Sequence, residues 1–186
     1  MTQKEMPNPI DLYGAASKRT SEIIAGVKSS QLGDSTPCSE WNVQTLIEHL
    51  VGGTGMASGS LSGAGPEAPL QGTSHAAAFD AGAAKVLDSA KAPGVLDKTI
   101  ASPMGDMPGG QFLAAFFMDT LIHGWDLAKA TGQNTHLPED LAETCYAMFG
   151  PMADEWRKSG VFGPRVEVAE NASAQVKLLG SLGRKA

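Results

Sequence analysis

Cysteine, histidine and positive charge are all scarce in this chain. Two cysteines among 186 residues rule out a disulfide-stapled scaffold. Fourteen lysines and arginines stand against 20 acidic residues, a net charge of −6, which is the wrong sign for a nucleic-acid footprint. The longest apolar run, Phe112 to Met118, falls far short of the ~20 residues that cross a bilayer. Met1 to Glu5 carry no apolar segment of the secretory type. A cytoplasmic location is therefore expected, with both thiols reduced and no nucleic-acid or membrane partner. What is present is glycine, 22 residues of it, with much alanine and serine. The length suits a single domain over residues 1–186, with 160–186 as a small C-terminal appendage. With four histidines in the whole chain, any special chemistry rests on few side chains.

Hydrophobic periodicity predicts helices. Residues 1 to 9 read as a polar tail. Leu12, Ala15, Ala16, Ile23, Ala25 and Val27 then form an apolar stripe. Asn42 is a good N-cap for a second helix carrying Val43, Leu46, Ile47, Leu50 and Val51 toward Ser58. Ser58 to Thr73 reads as a Gly/Ser/Pro loop, and Ser74 caps a third helix from His75 to about Ala90. Val95 to Ala101 is a candidate strand before a turn-rich connection. Gln111 to about Ala130 is apolar on most sides and predicts a central helix. A fifth helix opens at Pro138 and breaks at Gly150-Pro151. Val161-Phe162, Val166 and Val168 suggest short extended segments, with a small terminal helix from Ala172 to Leu182. The pattern is all-α: a helical bundle with a fifth helix and short extended pieces.

His123 is the most informative histidine. Asp119 lies four residues before it and Asp126 three after, so all three share one face of an otherwise apolar helix. Burying two carboxylates and an imidazole among phenylalanines is costly unless they pair or hold a cation. The plain alternative is an aspartate–histidine hydrogen bond on a solvated face. His49 sits in the second helix, where a lone histidine is ordinarily a core or interface residue. With Asp119 and His123 it makes three ligands from two helices, the open arrangement of catalytic zinc. Nickel and iron(II) suit the same donors. His75 and His136 read as non-ligands, one in a first helical turn and the other in a loop. Cys38 precedes the second helix and is a candidate fourth ligand or resolving thiol, or simply a small buried hydrophobe. Cys145 lies on an apolar helix face and reads as core. Trp41 and Trp125 are candidate pocket walls, with the core as the ordinary place for Trp125.

Two segments carry a resemblance. They are Thr36-Pro37-Cys38-Ser39-Glu40-Trp41-Asn42-Val43 with LIEHLVGG at Leu46 to Gly53, and Asp119-Thr120-Leu121-Ile122-His123-Gly124-Trp125-Asp126-Leu127-Ala128 followed by Ala130-Thr131-Gly132. Together they resemble the metal-binding domain of mycothiol-dependent maleylpyruvate isomerase, and more closely its uncharacterised metal-binding relatives in the DinB-like superfamily. The tail around Phe162-Gly163 and Leu178-Leu179 resembles these relatives too. The resemblance implies a DinB-like four-helix bundle with an unusual connection order and a divalent metal held by His49, Asp119 and His123. In the isomerase the carboxylate is a glutamate, one methylene longer than Asp119. The isomerase's separate C-terminal domain is not expected in a chain of this length.

The resemblance also implies a thiol-dependent S-transferase or isomerase, with a small thiol such as mycothiol and an electrophilic substrate as partners. A dication favours the thiolate, so a thiol of pKa near ~8.5 ionises at neutral pH. Asp126 is placed to orient His123 or serve as base, its alternative being a hydrogen bond within the bundle. A metal-dependent hydrolase uses the same ligands. A non-catalytic metal- or ligand-binding stress protein, or a plain bundle with an Asp119–His123 ion pair, completes the readings. Either a monomer or a homodimer is compatible with the sequence.

Overall fold

Asn8 opens the first helix by accepting a hydrogen bond from the Ile10 amide at 3.0 Å, and Pro9 takes a first-turn position where no amide hydrogen is needed. The computed structural model describes residues 7–39, 41–102, 105–158, 160 and 162–186. The predicted polar tail falls outside them up to Met6. The chain divides into two compact units, Met1–Asn134 and Thr135–Ala186.

In the first unit, α1 spans Pro9–Ala25, α2 Val43–Ser62, α3 His75–Ala90 and α4 Gly109–Ala130. Side-chain caps from Asn42 to the Thr45 amide and from Ser74 to the Ala77 amide start α2 and α3 where the sequence places them. The inward face of α1 differs from the predicted stripe. Ala15 and Ala25 are exposed, while Tyr13, Ser17, Thr20 and Ile24 are buried with Leu12, Ala16 and Ile23. The Ser17 and Thr20 hydroxyls are tolerated on that face because they find acceptors: Ser17 donates to the Gly14 carbonyl at 3.1 Å and Thr20 to the Thr120 carbonyl at 3.1 Å.

Helix α2 runs four residues beyond Ser58 because Leu61 is buried there and Gly63 closes the helix in the left-handed region, φ 77°. The following loop then doubles back along α2. A Cβ at Gly59 or Gly55 would overlap the carbonyl oxygens of Gly65 and Glu67, so the loop lies directly on the helix backbone. This return brings Ser74 and His75 beside Ile47, and α3 runs parallel to α2, with Gly82 against Thr54. Helix α1 runs parallel to α4: Tyr13 stacks on Phe116, Thr20 meets Thr120 and Gly124, and Gln133 donates to the Ile23 carbonyl. Helix α4 is antiparallel to α2, since His49 faces Asp119 while Gly53 faces Phe116. The order is up, down, down, up, the unusual connection expected of a DinB-like bundle. The predicted strand over 95–101 shrinks to β1, Thr99–Ile100, paired antiparallel with β2, Met107–Pro108. Residues 93–98 are turns. In the connection between the strands Gly105 donates to the Ser102 carbonyl; Pro103 and Met104 lie outside the described residues.

The second unit holds α5, Glu139–Phe149, α6, Ala153–Lys158, and α7, Ala174–Ser181. Gly150-Pro151 breaks the path into a 3-10 turn, as predicted. The Gln175 side chain clamps the start of the unit, accepting from the Leu137 amide and donating to the Thr135 carbonyl, both at 2.9 Å. Phe162 and the residues around Val166 and Val168 form no strand; the Val166 amide donates to the Gly180 carbonyl, and the Phe162 ring packs against Trp156. Val161, the start of that predicted extended stretch, lies outside the described residues. Cys145 is fully buried, as expected, and burial pushes its thiol pKa up. Among the described residues no helix is long and apolar enough to cross a membrane.

Candidate metal centre

The loop before α2 is closed on itself by its own polar groups. The Thr36 hydroxyl accepts from the Cys38 amide at 3.1 Å and donates to the Trp41 carbonyl at 2.8 Å. Ser35 and Asn42 form an isolated bridge across its neck, and the Trp41 amide donates to the Cys38 carbonyl at 2.8 Å. The loop therefore presents Cys38 and Trp41 as a fixed pair over the end of the bundle where α2 and α4 meet.

There the structure brings His49, Asp119 and His123 together. His49 Nε2 lies 3.2 Å from Asp119 Oδ2, and His123 Nε2 lies 3.4 Å from Asp119 Oδ1. One donor atom from each lies within 4.8 Å of the other two. The His49 and Asp119 side chains are 34% and 33% exposed, so the cluster has an open side. His123 is 13% exposed. Behind it, Asp126 is completely buried, with Oδ2 3.1 Å from His123 Nδ1. Cys38 donates its S–H to the same oxygen at 3.3 Å, and its sulfur lies 3.7 Å from Nδ1. Cys38 therefore stands on the opposite ring nitrogen from Asp119. Cys38, His123 and Asp126 form a second close donor group, one that shares the imidazole and is more enclosed.

The sequence from Tyr13 to Ala128 matches the family described as the mycothiol maleylpyruvate isomerase N-terminal domain. The chain belongs to that family. The match contains every residue of the cluster. Two uncharacterized proteins of Mycobacterium tuberculosis, from strains CDC 1551 / Oshkosh and H37Rv, are each 38% identical over 135 residues, covering 73% of this chain and 74% of their own length. No solved structure matches the chain.

The electrostatics of this family member's cluster are strongly coupled. Burial alone would raise the Asp119 carboxyl, but hydrogen bonds to His123 and His49 outweigh it and hold the group well below the usual carboxylate range. Burial alone would lower His123; bonds to Asp119, Asp126 and Cys38 outweigh it and hold the imidazole well above its ordinary value. His123 thus holds its proton more tightly than an ordinary imidazole, with a carboxylate facing each ring nitrogen. The donor chemistry fits a divalent metal. Two imidazole nitrogens and a carboxylate oxygen converge beside an open face, and a carboxylate stands behind one imidazole to fix its tautomer.

Trp41 walls the cluster, its ring centre 4.7 Å from that of His49 and 5.4 Å from that of His123. Trp125, the other candidate wall, is core at 1% exposure. His75 and His136 are exposed and belong to neither donor group. The sequence reading missed Tyr13. It is fully buried on α1, its ring centre 5.4 Å from that of Phe116, which precedes Asp119 by one turn of α4. The available signal was its spacing from Ala16 and Thr20 along one face of α1.

Proposed function

We propose that this chain is a divalent-metal-binding protein of the thiol-dependent S-transferase or isomerase type, with His49, Asp119 and His123 as ligands. The observation that supports this reading most is the convergence of those three side chains on one open face, with Asp126 held against the far nitrogen of His123. A bound zinc, nickel or iron(II) ion would supply Lewis-acid chemistry, making a thiol such as mycothiol ionise near neutral pH. The protein's own residues do the rest. Asp126 accepts a hydrogen bond from His123 Nδ1–H and so presents Nε2 toward Asp119. Trp41 packs its ring at a tilt against both imidazoles and makes that side of the cluster apolar. His49 and Asp119, each a third exposed, leave the approach for a small thiol and an electrophilic partner.

The test is a cobalt-substituted protein titrated with mycothiol, glutathione and a simple thiol, followed by visible absorption. The reading requires metal near one equivalent per chain and a spectral change with at least one thiol. It also requires thiol-plus-electrophile turnover that His123→Ala abolishes. Metal bound without any thiol response would turn the assignment toward hydrolysis or simple metal binding. Equal turnover in the His123→Ala variant would end it.

A further inference from the structure

The Tyr13 hydroxyl is an anomaly in this bundle. It is buried, and it has no hydrogen-bond partner among the described residues. Leaving a buried hydroxyl unpaired is costly, and its neighbours Ser17 and Thr20 on the same helix face have both found carbonyl acceptors. The ring rests on Phe116, and Phe116 in turn packs against Gly53. Those two contacts lie one turn from Asp119 on α4 and one turn from His49 on α2. Tyr13 therefore packs one helical turn from the donor cluster, near enough to feel the Asp119 charge. Burial first, and then the nearby Asp119 charge, drive its pKa up, so the phenol is always a donor.

Donors and acceptors can be counted in both states, on the reading that His49, Asp119 and His123 hold a metal. In the metal-free protein each Asp119 oxygen already faces an imidazole nitrogen, Oδ2 facing His49 and Oδ1 facing His123. An imidazole nitrogen that ligates a cation carries no proton. Binding therefore removes both donors from Asp119 at once, and one of its oxygens passes to the cation. The other is left without a donor, and the Tyr13 hydroxyl is a buried donor that has no partner among the described residues. We propose that Tyr13 is a positioning residue for the metal centre, donating its hydroxyl to the Asp119 oxygen that the cation does not take. The metal-free chain then carries an unpaired hydroxyl that the loaded chain resolves. The contact turns the short Asp119 side chain toward its ligand geometry.

The experiment is Tyr13→Phe in the full chain, which keeps the ring and deletes only the hydroxyl. Zinc affinity is measured by chelator competition, and metal-free thermal stability alongside it. The expected result is a loss of zinc affinity on the order of 10-fold, the usual scale for a group that orients a ligand. Metal-free melting should be unchanged or raised, because an unpaired hydroxyl has been removed. In an Asp119→Asn background the same change should have much less effect on zinc binding, since the two residues act through one contact. Three results overturn the proposal: affinity equal to wild type, a metal-free melting point that falls in step with affinity, or effects in the double variant that simply add. A wild-type chain that binds no zinc would instead overturn the metal-centre reading itself.

Discussion

Asp126 and His123 are joined across 3.1 Å, with the carboxylate fully buried and the imidazole nearly so. A buried carboxylate is tolerated only when its charge is matched, and here it accepts from both an imidazole N–H and the Cys38 thiol. Asp126→Ala should therefore strand two donors and free the ring. The expected loss is ~1–3 kcal/mol of stability and ~10–100-fold in zinc affinity. Denaturant melts and chelator competition measure the two separately. A variant with full zinc affinity would show that His123 needs no support from behind.

The two proposed ligand histidines should separate cleanly from the other two. His49→Ala and His123→Ala are each expected to abolish stoichiometric zinc binding in purified protein. His75→Ala and His136→Ala change exposed residues outside both donor groups and should leave it untouched. Metal analysis of the four variants after the same dialysis is sufficient. Retention of one equivalent in His49→Ala would remove α2 from the site.

Coupling within the cluster predicts a pH window for the metal-free protein. Asp119 is held below its ordinary pKa, so its contribution is present above about pH 3.9 and disappears as pH falls through the folded value. His123 is held above its ordinary pKa, so its contribution is complete below about pH 6.5 and disappears as pH rises through the folded value. Thermal melts of chelator-treated protein should show the pair's largest effect between those limits, and Asp119→Asn should flatten the profile. The zinc-loaded protein should behave in the opposite sense at higher pH. Zinc must displace the His123 proton, and this becomes easier as pH rises.

Thiol reactivity should distinguish the two cysteines. Cys38 is partly exposed, whereas Cys145 is fully buried and held protonated by its surroundings. A neutral alkylating reagent should label the native chain once, at Cys38, with a second equivalent only on unfolding. Peptide mapping by mass spectrometry locates the label. Labelling of Cys145 at a comparable rate would contradict the core packing of α5.

Gly59→Ala tests the doubled-back loop. A methyl group there would meet the Gly65 carbonyl and force the loop off α2. A destabilisation of ~1–3 kcal/mol is expected, with zinc affinity nearly unchanged because the contact is remote from the cluster along α2. Parallel loss of both properties would mean that the loop supports the site.

The helices were largely legible, because capping and periodicity are local. Asn42 and Ser74 announce α2 and α3, and the solid apolar run of α4 announces a central helix. Three features resisted for a common reason: tertiary contact overrode local preference. Ser58 to Ser62 looks like loop by composition, yet burial of Leu61 keeps it helical. Val95 to Ala101 looks like strand, yet among the described residues the ladder there takes in Thr99 and Ile100 alone. The buried face of α1 includes the Thr20 hydroxyl, whose acceptor lies on α4, 100 residues away. At the cluster, the spacing of Asp119, His123 and Asp126 was visible because one helix carries all three. That His49 faces them, that Trp41 flanks them and that Tyr13 packs on Phe116 one turn away depends on how helices pack, which no spacing within one segment reveals.

The up, down, down, up order has a consequence for assembly. His49 and Asp119 are 70 positions apart, and Cys38 and Asp126 are 88 apart. No half of the chain contains the whole cluster, and no early helix pair can pre-form it, because α4 is the last strut of the first unit to be made. A cation that needs all three ligands distinguishes the finished bundle from everything before it. Binding would then act as a latch on the closed bundle, stabilising the native chain in proportion to the logarithm of free metal. The chain's resistance to heat would thereby record how much metal its surroundings offer.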